Sequence, residues 1–123
     1  MSDAELPNHR LLTIGVFAHR SRLSVKALRL YDRSGLLTPA DVDPGTGYRR
    51  YHDSQLLRAR LIVMMRRAGI PLAQVAEIVA VPGASGADLL AEYWSQTERR
   101  FSVQRELVAR LHTSLLSGAS TVT

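Results

Sequence analysis

The stretch that decides the fold is LTIGVFAHRSRLSVKALRLYDRSG, at residues 12–35. Two short helices are predicted within it, over 14–20 and 25–33. Thr13 and Ser24 precede them as N-caps, because a hydroxyl at this position can accept a hydrogen bond from the first helical turn. A short helix, a turn of three to four residues and a second, basic helix form the pattern of a helix-turn-helix.

A glycine-rich turn and a cationic aromatic segment follow this pair of helices. The segment 43–51 reads DPGTGYRRY, and the region 36–51 is predicted to form two short strands, the first limited by Pro39. A small hairpin in this place would be a wing. Because side chains alternate along a strand, one face should carry Arg49 and Tyr51, and the other Tyr48 and Arg50.

A second pair of helices is predicted next. The third helix begins at Asp53 or Ser54 and runs to about Arg67, and the fourth covers 71–80. The expected buried positions of the third helix are Leu57, Leu61, Met64 and Met65, and those of the fourth are Leu72, Val75, Ile78 and Val79. The segment 82–86, PGASG, is expected to separate two modules.

The last module is predicted to be one long helix. No Pro or Gly occurs from Asp88 to Leu116. Apolar residues follow alternating spacings of four and three, which is a heptad seam interrupted by Thr97 and Gln104. A second copy of the chain would cover such a seam, so a homodimer is expected; the alternative is that the helix folds back on the second helix pair. The predicted dimer contacts are Leu90, Trp94, Phe101, Val108, Leu111 and Leu115.

The positive charge is concentrated in the first part of the chain. Residues 1–70 contain 12 Lys/Arg and 6 Asp/Glu, and residues 71–123 contain 4 and 5, which make up the 16 and 11 of the whole. This distribution favours a nucleic-acid-binding module followed by a neutral one. An arginine-rich surface from a GC-rich genome is the alternative.

Several function classes are disfavoured by the composition. The absence of cysteine excludes disulfides and thiolate metal sites. No apolar run approaches the ~20 residues of a membrane span, and no signal peptide is visible, so a cytoplasmic protein without membrane contact is expected. No nucleophile motif is present and no two histidines have ligand spacing, so we expect no enzyme, no metal and no cofactor. The scattered histidines are His9, His19, His52 and His112.

The ordered motifs resemble the MerR family of bacterial transcription regulators. They are TIGVFA at 13–18, SVKALRLYD at 24–32, GLLTP at 35–39, GYRRY at 47–51 and AGIPL at 68–72. The resemblance extends over about 12–115, and the wing looks like that of the multidrug-sensor branch. It implies an all-α fold with a small β-hairpin wing: a winged helix-turn-helix, a second helix pair and a long antiparallel coiled-coil dimerisation helix.

The resemblance also implies a function. Family members bind pseudo-palindromic promoter DNA as homodimers. In these promoters the spacer between the two elements that RNA polymerase recognises is too long. The bound dimer distorts the spacer DNA and so realigns the two elements, which affects RNA polymerase indirectly. Within this chain the expected parts are a flexible tail at 1–11, a DNA-binding domain at 12–81, a dimerisation helix at 87–117 and a frayed tail at 118–123.

The expected DNA contacts come from the second helix and the wing. Arg29 is expected to read a base, Lys26 to bind phosphate or a base, and Arg49 to bind phosphate or enter the minor groove. Tyr31 is expected either to donate its hydroxyl to phosphate or to pack against the wing. The full predicted set is Thr13, Arg20, Ser24, Lys26, Arg29, Tyr31, Tyr48, Arg49, Arg50 and Tyr51.

Two departures from the family pattern leave alternatives open. Leu30 stands where members usually carry an aromatic residue, and no cysteines follow the long helix as they do in metal-sensing members. Either this is the DNA-binding part of a longer regulator, whose absent C-terminal domain takes a small-molecule inducer, or the protein acts without an effector domain; the first is favoured. The other functions considered are an architectural or excisionase-like DNA-binding protein and a dimeric small-molecule-binding protein that uses Tyr93, Trp94 and Phe101.

Overall fold

The computed structural model describes residues 10–81 and 83–118, in two compact units that divide after Ala80. Residues 1–9 of the predicted tail at 1–11, Pro82, and residues 119–123 of the predicted tail at 118–123 lie outside the described residues. The first unit contains three strands and four helices, and the second contains one long helix. The elements are β1 (Leu11–Thr13), α1 (Ile14–Ser21), α2 (Val25–Ser34), β2 (Asp41–Val42), β3 (Arg49–His52), α3 (Leu56–Arg67), α4 (Leu72–Val79) and α5 (Gly83–Leu116).

The first two helices begin at the predicted caps. Oγ1 of Thr13 accepts a hydrogen bond from the Val16 amide at 3.3 Å, and Oγ of Ser24 accepts one from the Ala27 amide at 3.0 Å. The turn between the helices is closed by Arg22, which has a left-handed φ of 68° and donates its amide to the Ala18 carbonyl. These contacts satisfy backbone groups that the helix ends would otherwise leave unpaired.

The wing belongs to a three-stranded antiparallel sheet in the order β1-β3-β2. The expectation that the tail extends through Leu11 was wrong, because Leu11 lies in β1 opposite His52. Residues 36–40 are not a strand either: Leu36 and Leu37 are buried, and the first wing strand is only Asp41–Val42, after Pro39. Thus β3 is the central strand, with a neighbour on each side.

The core of the first unit lies between the sheet and helices α1 to α4. At its centre the rings of Phe17 and Tyr51 stack with centroids 4.4 Å apart and an interplanar angle of 15°. Leu28 of α2 and Leu37 after it are also fully buried. Ile62 and Val75 supply the largest fully buried side chains of α3 and α4. The helix-turn-helix and the second helix pair therefore share buried apolar packing.

The buried face of α3 differs from the predicted one. A 3₁₀ turn at Asp53–Gln55 leads into α3, and its buried residues are Leu56, Ala59, Ile62 and Met65. Of the predicted set only Met65 is buried, whereas Leu57, Leu61 and Met64 are exposed. The prediction was wrong because this helix carries apolar residues on two sides, and spacing alone does not choose between them. In α4 the predicted Val75 and Ile78 are buried.

The long helix starts earlier than the sequence suggested. The α5 helix begins at Gly83 and contains Gly86, so most of the expected boundary segment is helical. Its 34 residues span about 51 Å at 1.5 Å per residue. All six predicted seam residues are exposed on the single chain. No helix in the described residues is long and apolar enough to cross a membrane.

Candidate nucleic-acid interface

The outward face of α2 is cationic. Leu28 and Tyr31 point into the core, whereas Lys26, Arg29 and Arg33 are exposed on the other side of the helix. Within the part of the chain that the structure describes, none of these three cations is paired with a carboxylate. Exposed, unpaired Lys and Arg side chains on one helix suit phosphate oxygens and guanine edges.

The wing arginine is held by a carboxylate of the second helix. Nε of Arg49 donates to Oδ2 of Asp32 at 2.8 Å, and the two side chains are 32% and 21% exposed, respectively. An Arg guanidinium has five N–H donors, so this contact leaves its terminal nitrogens available. The pair fixes β3 to α2 and orients Arg49 beside that helix. Because Asp32 and Arg49 are 17 positions apart, no local sequence pattern predicted their contact.

Tyr51 is a core residue. It shares a strand face with Arg49, as the alternation predicted, but its side chain is 0% exposed and stacked on Phe17. Its place among the DNA contacts was therefore wrong, because the inward face of β3 completes the core. Burial and the nearby Asp32 carboxylate raise the pKa of Tyr51, and the Arg49 guanidinium acts in the opposite direction.

Four other predicted contacts occupy three kinds of position: a helix start, an exposed helix end and the core. Ser24 and Thr13 stand at the starts of α2 and α1, where their hydroxyls already accept capping hydrogen bonds. Arg20 is exposed at the end of α1. Tyr31 is buried, which favours the packing alternative over a phosphate contact.

A cleft joins the start of α1 to the wing. It encloses about 340 Å³ and is lined on one side by Thr13, Ile14 and Gly15, and on the other by Tyr48, Arg49 and Arg50. The amides at a helix start carry partial positive charge, so the cleft lies between a helix start and two arginine residues. Four predicted site residues, Thr13, Tyr48, Arg49 and Arg50, come together here.

The wing turn is organised by an aspartate. Oδ2 of Asp43 accepts a hydrogen bond from the Thr46 hydroxyl at 2.7 Å, and Oδ1 accepts one from the Gly45 amide at 3.2 Å. These bonds, the Thr46 hydroxyl first, lower the pKa of Asp43, so the carboxylate stays ionised at neutral pH. Tyr48 beyond the turn is exposed, and Arg50 forms a longer, exposed pair with Asp41 at 3.4 Å.

Sequence reasoning missed two residues of this surface. Arg33 belongs to the outward face of α2, and its spacing of seven from Lys26 was the signal that could have identified it. Asp32 was missed because its role depends on the wing. In the described part of the chain, no three His, Asp or Glu side chains are grouped so as to hold a metal ion.

The first unit contains a capped helix-turn-helix with a cationic outer face and an attached wing. These features define a winged helix-turn-helix DNA-binding protein. Residues 12–81 match the family described as MerR HTH family regulatory protein. The chain belongs to the MerR family of transcriptional regulators. The structure confirms the predicted class: mostly helical, with a small antiparallel sheet and a long C-terminal helix.

Three similar proteins illustrate the match. The multidrug-efflux transporter 1 regulator of Bacillus subtilis is 44% identical over 63 residues, which are 51% of this chain and 23% of that protein. The mercuric resistance operon regulatory protein of Pseudomonas fluorescens is 33% identical over 100 residues, 81% of this chain and 67% of that one. HiNmlR, a MerR family regulator lacking the sensor domain and bound to promoter DNA, superposes with a TM-score of 0.56 at 25% identity, covering 84% of this chain and 80% of that chain.

Proposed function

We propose that this chain binds a pseudo-palindromic promoter as a homodimer and distorts the spacer DNA to control transcription. In this arrangement α2 enters the major groove, and the wing grips the neighbouring backbone. The observation that supports it most is the outward face of α2, where Lys26, Arg29 and Arg33 are exposed without carboxylate partners. Phosphate contacts from such side chains position a protein on the duplex, and base contacts select the sequence.

Arg49 has a defined part in this proposal. Asp32 holds its Nε, so the terminal nitrogens can bind one phosphate with little loss of side-chain freedom. In the proposed complex, the amides at the start of α1, on the other side of the adjacent cleft, would approach the same phosphate row. Arg49 is thus assigned to the DNA backbone, and Arg29 remains assigned to a base.

The dimer is proposed from the α5 seam. Exposed apolar side chains repeat along its length at heptad spacing, and a second α5 running antiparallel would cover them. Two copies of α2 would then be presented to two related half-sites. A small-molecule inducer acting through a further domain also belongs to the proposal. The support for it is that the match covers only 23% of the multidrug-efflux transporter 1 regulator of Bacillus subtilis.

Replacing Arg49 with Ala tests the phosphate contact. Affinity should fall for all DNA sequences. The slope of log affinity against log salt concentration should become shallower by the amount that about one phosphate contact per subunit contributes. The measurement is fluorescence anisotropy with labelled duplexes, both a selected operator and a scrambled duplex, over a range of salt concentrations.

The matched control for this test is Arg110→Ala, which removes the same charge from an exposed position of α5. It should leave the salt slope unchanged. An unchanged slope for Arg49→Ala would reject the phosphate contact. Footprinting that shows one undivided, asymmetric site would instead favour the architectural or excisionase-like alternative.

A further inference from the structure

One apolar side chain interrupts the cationic face of α2. Leu30 is 47% exposed, although Tyr31, its neighbour in sequence, and Leu28, two residues before it, are buried in the same helix. Residues four and three apart share one side of a helix, so Lys26, Leu30 and Arg33 form a single outward row. Leu30 lies in the middle of that row.

The flanking charges indicate what kind of partner this row meets. A partner that covers a leucine between a lysine and an arginine lies beside two cations, and a wholly apolar protein surface offers no group that binds them. DNA accepts all three together, because phosphates receive the cations while the base edges contact the helix centre. This step rests on the proposed function.

The major groove offers one exposed methyl group among its base edges. It is the 5-methyl of thymine, and apolar side chains are the groups that contact it. Apart from the C5–H of cytosine, which is smaller than a methyl group, the other recognition groups on these edges are hydrogen-bond donors and acceptors, which Leu30 cannot satisfy. We propose that Leu30 is a specificity-determining residue that contacts the 5-methyl group of one thymine in each half-site.

With this contact, two side chains of α2 share the recognition of the DNA sequence. Arg29 carries polar donors and is assigned to a base, whereas Leu30 selects a methyl group one position further along the helix. Loss of the methyl should cost affinity without affecting the phosphate contacts. The salt slope of binding should therefore stay the same, which distinguishes this role from that of Arg49.

Deoxyuridine substitution tests the proposal directly. Operators are selected from a random duplex pool with the full chain, and each thymine is then replaced singly by deoxyuridine, which lacks only the 5-methyl. At one symmetric position, replacement should weaken binding by about fourfold per half-site, the effect of leaving one methyl uncovered. Replacement at the other thymines should have little effect.

Variants assign the effect to Leu30. Leu30→Ala should bind the thymine and deoxyuridine operators equally well, whereas Leu30→Met should keep the preference. Leu57→Ala is the matched control, because Leu57 is an exposed leucine on α3, and it should leave the preference unchanged. Circular dichroism checks that each variant is folded.

Two results would overturn the proposal. One is a wild-type chain that binds selected operators with no sensitivity to deoxyuridine at any position. The other is a sensitivity that persists undiminished in Leu30→Ala. Failure to select any sequence from the pool would instead contradict the proposed function itself, so the two failures are distinguishable.

Discussion

Arg49 and Asp32 show how one ion pair can serve both folding and binding. The 2.8 Å contact joins the central strand of the sheet to the second helix of the helix-turn-helix. Both side chains are largely sheltered from water, so screening weakens the pair less than it would weaken a surface pair. Arg49 is therefore a structural residue of the free protein as well as a proposed phosphate ligand.

Replacing the aspartate partner of each wing arginine should distinguish a structural pair from a surface pair. Asp32→Asn should lower the free energy of unfolding by about 1–2 kcal/mol, because it weakens a charge-assisted hydrogen bond to a half-buried arginine. Asp41→Asn removes the same charge from the exposed 3.4 Å pair with Arg50, and should change stability by less than about 0.5 kcal/mol.

Urea denaturation at one fixed protein concentration measures both effects. Equal losses from the two substitutions would show that burial of the Asp32 pair has no energetic consequence. The same samples can be titrated with DNA, where Asp32→Asn should retain the salt slope because Arg49 is still present.

At the scale of elements, the ends of the helices depend on particular backbone conformations. Gly35 follows α2 with φ of 79°, and its amide donates to the Asp32 carbonyl at 3.1 Å. A residue with a Cβ is strained at this angle even though no atom lies within 4 Å of the added carbon. The glycine therefore fixes where α2 ends.

Two alanine substitutions should have opposite effects on stability. Gly35→Ala should lower the free energy of unfolding by about 1–2 kcal/mol, the cost of left-handed backbone in an L-residue. Gly15→Ala, inside α1 and with open space around the added carbon, should raise it by about 0.5–1 kcal/mol. Thermal and urea unfolding would measure the two variants, and a stabilising Gly35→Ala would contradict the role given to the turn.

The same scale shows what could be predicted from the sequence. The caps Thr13 and Ser24 were identified correctly, because a hydroxyl before an apolar-periodic segment acts locally. The buried side of α3 was not identified correctly, because Leu56 and Leu57 are neighbours in sequence and equally apolar. For Tyr51, alternation gave the residues that share a face, but only the packing of Phe17 against β3 decided which face is inside. The three-residue β1 was too short for periodicity to detect.

At the scale of the whole molecule, the proposed dimer through the α5 seam would join two DNA-binding units. Val108 lies on the heptad row and Val103 does not, yet the two are almost equally exposed, at 60% and 61%. They are the same residue type in the same helix, so they form a matched pair for testing the seam.

Placing a charge at these positions should have unequal consequences. Val108→Asp should convert the dimer to monomers and weaken operator binding by about a hundredfold, because the second half-site is no longer bound intramolecularly. Val103→Asp should remain dimeric. Sedimentation velocity gives the oligomeric state and anisotropy gives the affinity, and a dimeric Val108→Asp would rule out the seam as the interface.

The central position of β3 has a consequence for the kinetics of DNA recognition. Because Leu11–Thr13 pairs on one side and Asp41–Val42 on the other, the wing is fixed before DNA arrives. Its conformational entropy is lost during folding, so association need not include an ordering step for this element. Such a wing should meet DNA at a rate limited by electrostatic encounter. A chain shortened past Leu11 should associate more slowly, although Arg10 is the one Lys or Arg side chain that it loses.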